Sequence, residues 1–369
     1  MAWHEVHGSG WRVRYYHNGE LQTETGFTSK TEAQKRASDV EYEMRNKTFV
    51  ARSKESVTFE TWAQTWEEAH DVSKGTWLKY RSHLNNHLIA KFGDTPLDEI
   101  SHIKVKGWAK NLRRSLADAT VRDIITLLSM ILGDAVEEDL ITKNPCRRLK
   151  LTLESSPPKE TVTARSLLRI VERIPEHRTL VLTAAFTGMR WGEIVGLTWR
   201  NVNLDESTIT IDHKVGALHE NGGKLELGPP KTPCSARVIH LPPFLVEMLR
   251  EHRSQQPSDH VFTGVRGGLL RRANFRSRFW RPAVAGHKQR GWAALQPNLT
   301  FHGLRHTHKT WLNEDHVDKA LQFQRLGHHL PGVEGIYSHC SQPMIDHMLT
   351  KLEDRWKQAQ SSIKREPAL

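Results

Sequence analysis

Residues 301–339 read FHGLRHTHKTWLNEDHVDKALQFQRLGHHLPGVEGIYSH, and the rest of the chain takes its meaning from this stretch. His302 and Arg305 stand three apart, which on a helix puts them on one face, aimed at one small target. A forked cation and an imidazole converging on one point suit a phosphate, since Arg offers paired donors and His a donor that can also carry a proton. His328 and His329 follow Leu326-Gly327, and Tyr337 lies nine residues beyond His328. A phenol can form a covalent intermediate. Taken singly, H-x-x-R reads equally well as a solvated helix face and Tyr337 as a core cap. The assignment therefore depends on anchors elsewhere in the chain.

At 369 residues the chain exceeds one comfortable core, so two or three domains are expected. With 37% hydrophobic residues it is a globular rather than a disordered sequence. No apolar run reaches the length of a membrane span, and MAWHEVHGSGWRV lacks the basic-then-apolar layout of a secretion signal. Cys146, Cys234 and Cys340 are far apart and form no C-x-x-C pair, which argues for a reducing compartment and against a cysteine-ligated zinc. A cytoplasmic protein is expected, without a membrane partner. The 22 histidines include no H-E-x-x-H and do not cluster with carboxylates at ligand spacing, so no metal is expected. Net charge is +11, and residues 151–369 carry 30 Lys+Arg against 21 Asp+Glu, which places most of the excess there. Such a balance calls for an anionic partner, most simply nucleic acid, with plain solubility as the competing explanation.

In chain order, Trp11, Val13 and Tyr15 alternate with Arg12, Arg14 and Tyr16, and His17-Asn18-Gly19 makes a hairpin turn into Leu21–Phe27. Ser29 or Thr31 then caps a helix to about Arg45. Residues 1–55 are thus expected as a three-stranded sheet plus helix. A strand with Arg12 and Arg14 on one face fits a DNA groove as a β-ribbon, or is an edge strand whose arginines face water. Ala51–Val57 is a polar linker. Residues 56–150 are helical, with helices from Thr58, over Ser73–Phe92, from Ile103 to about Leu116 and from Ala119 to about Glu138, and a break at Gly93-Asp94-Thr95-Pro96. Lys104, Lys106 and Lys110, with Arg113 and Arg114, either meet phosphates or form a solvated helix face. Leu151–Thr161, with Pro157-Pro158, reads as an inter-domain linker into a domain over 151–369.

In that last domain the apolar helix Leu180–Thr187 stops at Gly188, and Arg190 follows where a new helix begins, with Glu193 one turn on. An arginine in so apolar a setting is expensive to bury unless its donors are used, by a ligand phosphate or by Glu193 alone. Ser207–His213 reads as a strand. Lys224–Leu227 and Ala236–Leu241 frame Gly228-Pro229-Pro230-Lys231-Thr232-Pro233 as a hairpin tip from which Lys231 reaches outward, or stands as a plain surface lysine. A helix from Pro242 to about Arg253, a short strand at Val261-Phe262 and a basic helix over Arg271–Val284 complete the approach to residue 301. Met344–Trp356 is an amphipathic helix.

With T-G-M-R-W-G-E-I, P-K-T, H-G-L-R-H-T, L-G-H-H and G-I-Y-S-H in this order, the chain resembles the tyrosine recombinase (lambda-type phage integrase) family. The resemblance is strong over about 160–358, covers the bundle only in layout, and is loosest for the N-terminal hairpin and helix, which are similar to integrase arm-binding domains. It implies a multidomain, mainly α fold: a small N-terminal β-sheet plus helix, a helical core-binding bundle and an α+β catalytic domain. It implies a catalytic set of Arg190, Lys231, His302, Arg305, His328 and Tyr337, with Glu193 in support. The family accepts His or Trp where His328 stands. The implied chemistry is attack by Tyr337 on the scissile phosphate, a 3′-phosphotyrosyl link, and Lys231 as the acid for the leaving 5′-hydroxyl, with no cofactor. The implied partners are double-stranded DNA at core and arm sites, a homo-tetramer on that DNA, whose tail helix docks on a neighbouring protomer or packs on its own domain, and a host bending protein or excision factor, in the nucleoid of a bacterial cell. A type IB topoisomerase-like enzyme and a catalytically inactive DNA-binding regulator are the alternatives.

Overall fold

The computed structural model describes residues 2–8, 10–17, 19–46, 49, 57–151, 159–255, 258–264, 266–329 and 340–364. The linkers expected at Ala51–Val57 and Leu151–Thr161 lie largely outside the described residues, as does the G-I-Y-S-H stretch with Tyr337. Met1–Ser156 forms one compact unit and Pro157–Leu369 a second.

The first unit opens with an antiparallel sheet of β1 (Ala2–His7), β2 (Gly10–His17) and β3 (Glu20–Phe27), in that order. Val13 and Tyr15 are buried on α1 (Lys30–Arg45) together with Ala33, Ala37 and Val40. Strand alternation then turns Arg12, Arg14 and Tyr16 to the opposite face. Ser29 caps α1 by accepting the Glu32 amide at 3.2 Å.

Four helical segments follow: α2 (Phe59–Ala69), α3 (Lys74–His83, running through a π-helical turn at Leu84–Ile89 to Phe92), α4 (His102–Leu112) and α5 (Asp118–Glu137). Thr58, Ser73 and Ser101 each cap a helix through a side-chain oxygen, which fixes three of the four starts. The stripe Val121, Ile124, Leu128, Ile131 and Leu132 of α5 is fully buried, and Phe59, Leu88, Phe92 and Val105 pack with it. The indoles of Trp62 and Trp66 donate to the Ile131 carbonyl at 2.9 Å and Asp134 Oδ2 at 2.6 Å, which ties α2 to α5.

The second unit is built on α7 (Arg178–Thr187), whose residues Leu180–Thr187 are all buried, between α6 (Ala164–Glu172) and α8 (Trp191–Val195). Five short strands follow: β4 (Val202–Asn203), β5 (Thr208–Ile211), β6 (Ala217–Asn221), β7 (Lys224–Gly228) and β8 (Arg237–His240). Then come α9 (Pro243–Gln255), α10 (Arg272–Phe275, continuing through a π-turn to Ala285), α11 (Gly303–Glu314), α12 (Lys319–Leu326) and α13 (Gln342–Lys364). Among the described residues no helix is long and apolar enough to cross a membrane.

Three expectations need correction. Lys224–Leu227 and Ala236–Leu241 do not pair around a hairpin tip: β7 folds back on β6, and β8 pairs with β5 through Ile209↔Ile239. The turn lies at Gly222-Gly223, where φ values of 56° and 81° supply the left-handed pair that a two-residue hairpin loop needs. Gly228–Pro233 is a crossover between two sheets, which suits prolines that cannot donate to a ladder. Val261 and Phe262 form no strand; among the described residues the pairing there is a single bridge between His260 and Thr198, and the run is apolar because both side chains are buried.

The tail helix is longer than expected, and its apolar face packs within its own unit. Ile345, Met348, Leu352, Trp356 and Ala359 are buried in the core of their own unit. Trp356 stacks on Phe244 at 4.3 Å and 11°, and Arg355 pairs with Asp315 at 2.7 Å. Trp356→Ala is therefore expected to destabilise the protein by about 3–5 kcal/mol in chemical denaturation, the usual loss for a core Trp. Unchanged stability would return the helix to a role between protomers.

Candidate active site

The α7–α8 junction sets the first arginine. Gly188 ends α7 at φ 68°, and a Cβ there would sit 2.7 Å from Leu326 Cδ2 and 2.8 Å from His308 Cδ2, so only glycine fits. The chain then re-enters a helix with Arg190 at the cap. The Arg190 amide donates to Glu193 Oε2 at 2.9 Å, and its Nη1 donates to Glu193 Oε1 and to Ser235 Oγ, both at 2.8 Å. Nη2 reaches the Gly327 carbonyl at 3.4 Å. Glu193 is 2% exposed while the Arg190 side chain keeps 22%, so the carboxylate lies behind and the guanidinium faces outward.

Arg305, on the first turn of α11, converges on the same turn. Its Nη1 donates to the Gly188 carbonyl at 2.6 Å, and its Nη2 to the Leu326 carbonyl and to His328 Nε2, the latter at 2.9 Å. Arginine has no acceptor, so His328 Nε2 must be the accepting nitrogen, which makes the ring neutral with its proton on Nδ1. Burial and then the charges of Arg305 and Arg190 agree, pushing His328 down to about 4. Gly327, the left-handed cap of α12 at φ 62°, has room for no side chain: a Cβ would lie 2.9 Å from Ser235 Cα. Arg190, Arg305 and His328 are thus drawn together on the 326–328 turn.

His302 stands exposed at the start of α11, its ring 5.1 Å from that of His306. Partial burial first, then His306, Arg305, Lys159 and Arg190, push it down to about 4. Arg305 itself is pushed down to about 9 by burial and by Arg190. Burial is the first cause for all three groups, and the neighbouring cations add to it.

Lys231 is exposed on the crossover, and among the described residues it makes no hydrogen bond or ion pair. Its neighbour Thr232 bonds Ser235 Oγ at 2.8 Å, and Ser235 bonds Arg190, so the loop is tethered to the cluster one residue away. Tyr337 lies outside the described residues. Among those described, no group of three or more His, Cys, Asp or Glu gathers as a metal site.

Outside the cluster, Arg12 and Arg14 do share one face of the N-terminal sheet, but both are held by Glu5, Arg14 at 3.4 Å. The hydrogen bond from Arg12 keeps the Glu5 carboxyl below the usual range. Lys104, Lys106 and Lys110 are all exposed on α4. They form no single cluster: Lys106 and Lys110 share a face four apart, while Lys104 turns toward Glu99 at 4.0 Å.

Three residues outside the expected set lie around the cluster: Ser235, Arg237 and Arg325. Arg325 is 3% exposed and donates to His308 Nε2 at 2.9 Å, the Phe186 carbonyl at 2.8 Å and the His240 carbonyl at 2.9 Å. A signal for Arg237 existed, because alternation along Arg237-Val238-Ile239 puts the arginine on the same inward side as Ile239 and leaves Val238 45% exposed.

Comparison with known proteins places the chain among integrases in sequence and in fold. The Phage integrase family matches residues 161–343, and the Phage integrase, N-terminal SAM-like domain matches residues 58–113. The integrase of Mycobacterium phage D29 is 27% identical over 293 residues, spanning 78% of this chain and 75% of its own. The Tn1549 transposon integrase, solved in complex with transposon right end DNA, superposes with a TM-score of 0.64 at 19% identity, over 79% of this chain and 98% of that one. The lambda integrase tetramer bound to a Holliday junction gives a TM-score of 0.57 at 18% identity, over 90% of this chain and 93% of that one.

Proposed function

The chain belongs to the tyrosine recombinase (phage integrase) family and is a site-specific DNA recombinase, and on that premise we propose how its residues divide the work. Tyr337 attacks the scissile phosphorus, forming a Tyr–O–P bond to the 3′ side and releasing the 5′-oxygen. The phenol proton passes to a neutral imidazole, His302 or His328, and Lys231 gives a proton to the departing 5′-oxygen. Arg190 and Arg305 hold the non-bridging oxygens as charge grows on them. Attack by a second strand's 5′-hydroxyl reverses the sequence, so the phosphodiester bond energy is conserved and no cofactor is consumed. One observation supports this most: both guanidiniums and His328 are anchored on a single turn, residues 326–328, in a cluster with excess positive charge.

The substrate is double-stranded DNA. The helices matched at 58–113 and the catalytic unit hold the core site, and the outer face of β1–β3 holds arm sites, where Arg12 and Arg14 exchange Glu5 for phosphate or base edges. Four protomers act together, as the lambda integrase tetramer does on its junction.

A core site is obtained by enriching a random duplex pool for binding to the protein. Recombination between two copies of that site, with little relaxation of a supercoiled plasmid lacking it, is the expected outcome; relaxation without exchange marks a topoisomerase instead. Lys231→Ala should bind the duplex normally and cleave about 10²- to 10⁴-fold more slowly, the usual worth of a positioned proton donor. Cleavage at the normal rate removes Lys231 from the scheme.

A proton balance follows from the electrostatics. Burial first and then the neighbouring cations hold His302 and His328 down to about 4, and a phosphate that offsets those cations lets both rise. Binding then takes up protons, so duplex affinity increases as pH falls from 7 toward 5. Calorimetric titration in two buffers of different ionisation heat measures the uptake; zero uptake across that range contradicts it.

A further inference from the structure

Behind Arg190 sits a residue with no part in the scheme above. Arg237, 8% exposed, donates from Nη2 to Glu193 Oε2 at 3.0 Å and from Nη1 to Glu193 Oε1 at 3.4 Å. Nη1 also donates to the Ser235 carbonyl at 2.6 Å, and Nε to the Arg325 carbonyl at 2.7 Å. One guanidinium therefore spans three segments: the start of α8 with Arg190 and Glu193, the crossover loop that carries Lys231, and the end of α12, from which Gly327 and His328 follow.

We propose that Arg237 is a positioning residue for strand cleavage, one that offsets the Glu193 charge so that Arg190 keeps its own for the phosphate, and that fixes the helix end presenting His328. This rests on the recombinase assignment. Glu193 is a single carboxylate between two guanidiniums, with side-chain exposures of 2% for Glu193, 3% for Arg237 and 22% for Arg190. The trio sums to one positive charge, and that charge faces outward on Arg190. Without Arg237 the trio sums to zero, and Arg190 becomes half of a neutral ion pair. Inside a site of low dielectric this difference acts strongly on an anion. The geometric half of the role depends on the rigid fork, whose donors meet Glu193, Ser235 and Arg325 at once; a lysine supplies the charge but not the span. Arg237 is also among the cations that hold His328 down, so its loss lets that group rise.

The test uses full-length protein on a nicked suicide duplex carrying the selected core site. Arg237→Gln is expected to bind the duplex normally and to cleave about 10- to 100-fold more slowly, as misplacement of a catalytic group does. Its acid limb of rate against pH moves upward. Adding Glu193→Gln returns the local charge to one positive, and the double variant recovers about tenfold of the loss. A merely structural arginine predicts a double variant as slow as the single or slower. Arg237→Lys keeps the acid limb in place while still slowing cleavage, and it decides the case should Arg237→Gln not fold. Wild-type rates in Arg237→Gln or Arg237→Lys, or no recovery in the double variant, overturn the proposal. A wild-type protein that forms no adduct at all overturns the recombinase chemistry instead.

Discussion

Tyr337→Phe should leave duplex binding intact and abolish the covalent protein–DNA adduct, with cleavage falling to the uncatalysed background. The phenyl ring keeps the bulk and loses the only atom able to bond phosphorus. No other tyrosine can substitute from within the unit, because Tyr15, Tyr16, Tyr42 and Tyr80 all precede residue 151. Two of these are already committed, Tyr15 donating to Glu24 at 3.0 Å and Tyr80 to Met130 at 3.8 Å. A phenol with an ordinary pKa of about 10 needs both a base and compensation of the phosphate charge, which the neutral imidazoles, the outward Arg190 and the buried Arg305 supply. The check is a denaturing gel of labelled suicide duplex, wild type beside variant. A slow-migrating adduct that persists in Tyr337→Phe would reassign the nucleophile.

Arg305→Ala is expected to lower cleavage by about 10³-fold, near the upper range for removing one donor aimed at developing charge. Part of the effect is structural, since the guanidinium also holds the carbonyls of Gly188 and Leu326. Arg305→Lys separates the two contributions. Its charge persists, but one ammonium cannot bridge both carbonyls and still meet a phosphate in the bidentate way, so it is expected to remain about 10²-fold slow. Single-turnover rates, taken beside denaturation curves that show each variant folded, measure this. Cleavage by Arg305→Ala within tenfold of wild type removes it from the transition state.

Much of this was legible because the signals were local. Ser29, Thr58 and Ser73 announce helix starts by their own side chains, and Gly188 marks a stop because nothing larger fits against Leu326 and His308. Arg190, Arg305 and His328 were singled out by motifs that resemble a family, and the structure brings these three to one turn, while His302 stands beside His306. What escaped was pairing at a distance. Ala217–Asn221 has too mixed a polarity to stand out as a strand, so Lys224–Gly228 was given the wrong partner although Gly222-Gly223 marked the turn. Arg237 hid in a strand, where its use depends on Glu193, 44 positions earlier, and on Arg325, 88 positions later. The stripe on α13 announces that a face is buried but not against what, and the partner proved to be Phe244 and its own core.

In the proposed scheme these separated side chains meet about one backbone phosphorus. The most direct measurement is an experimental structure of the full-length protein trapped on a suicide duplex. The account predicts the phosphorus bonded to Tyr337 Oη, with nitrogens of Arg190 and Arg305 about 3 Å from its non-bridging oxygens. A trapped phosphate on any other residue, or one that leaves both guanidiniums bound only to the 326–327 carbonyls, contradicts it.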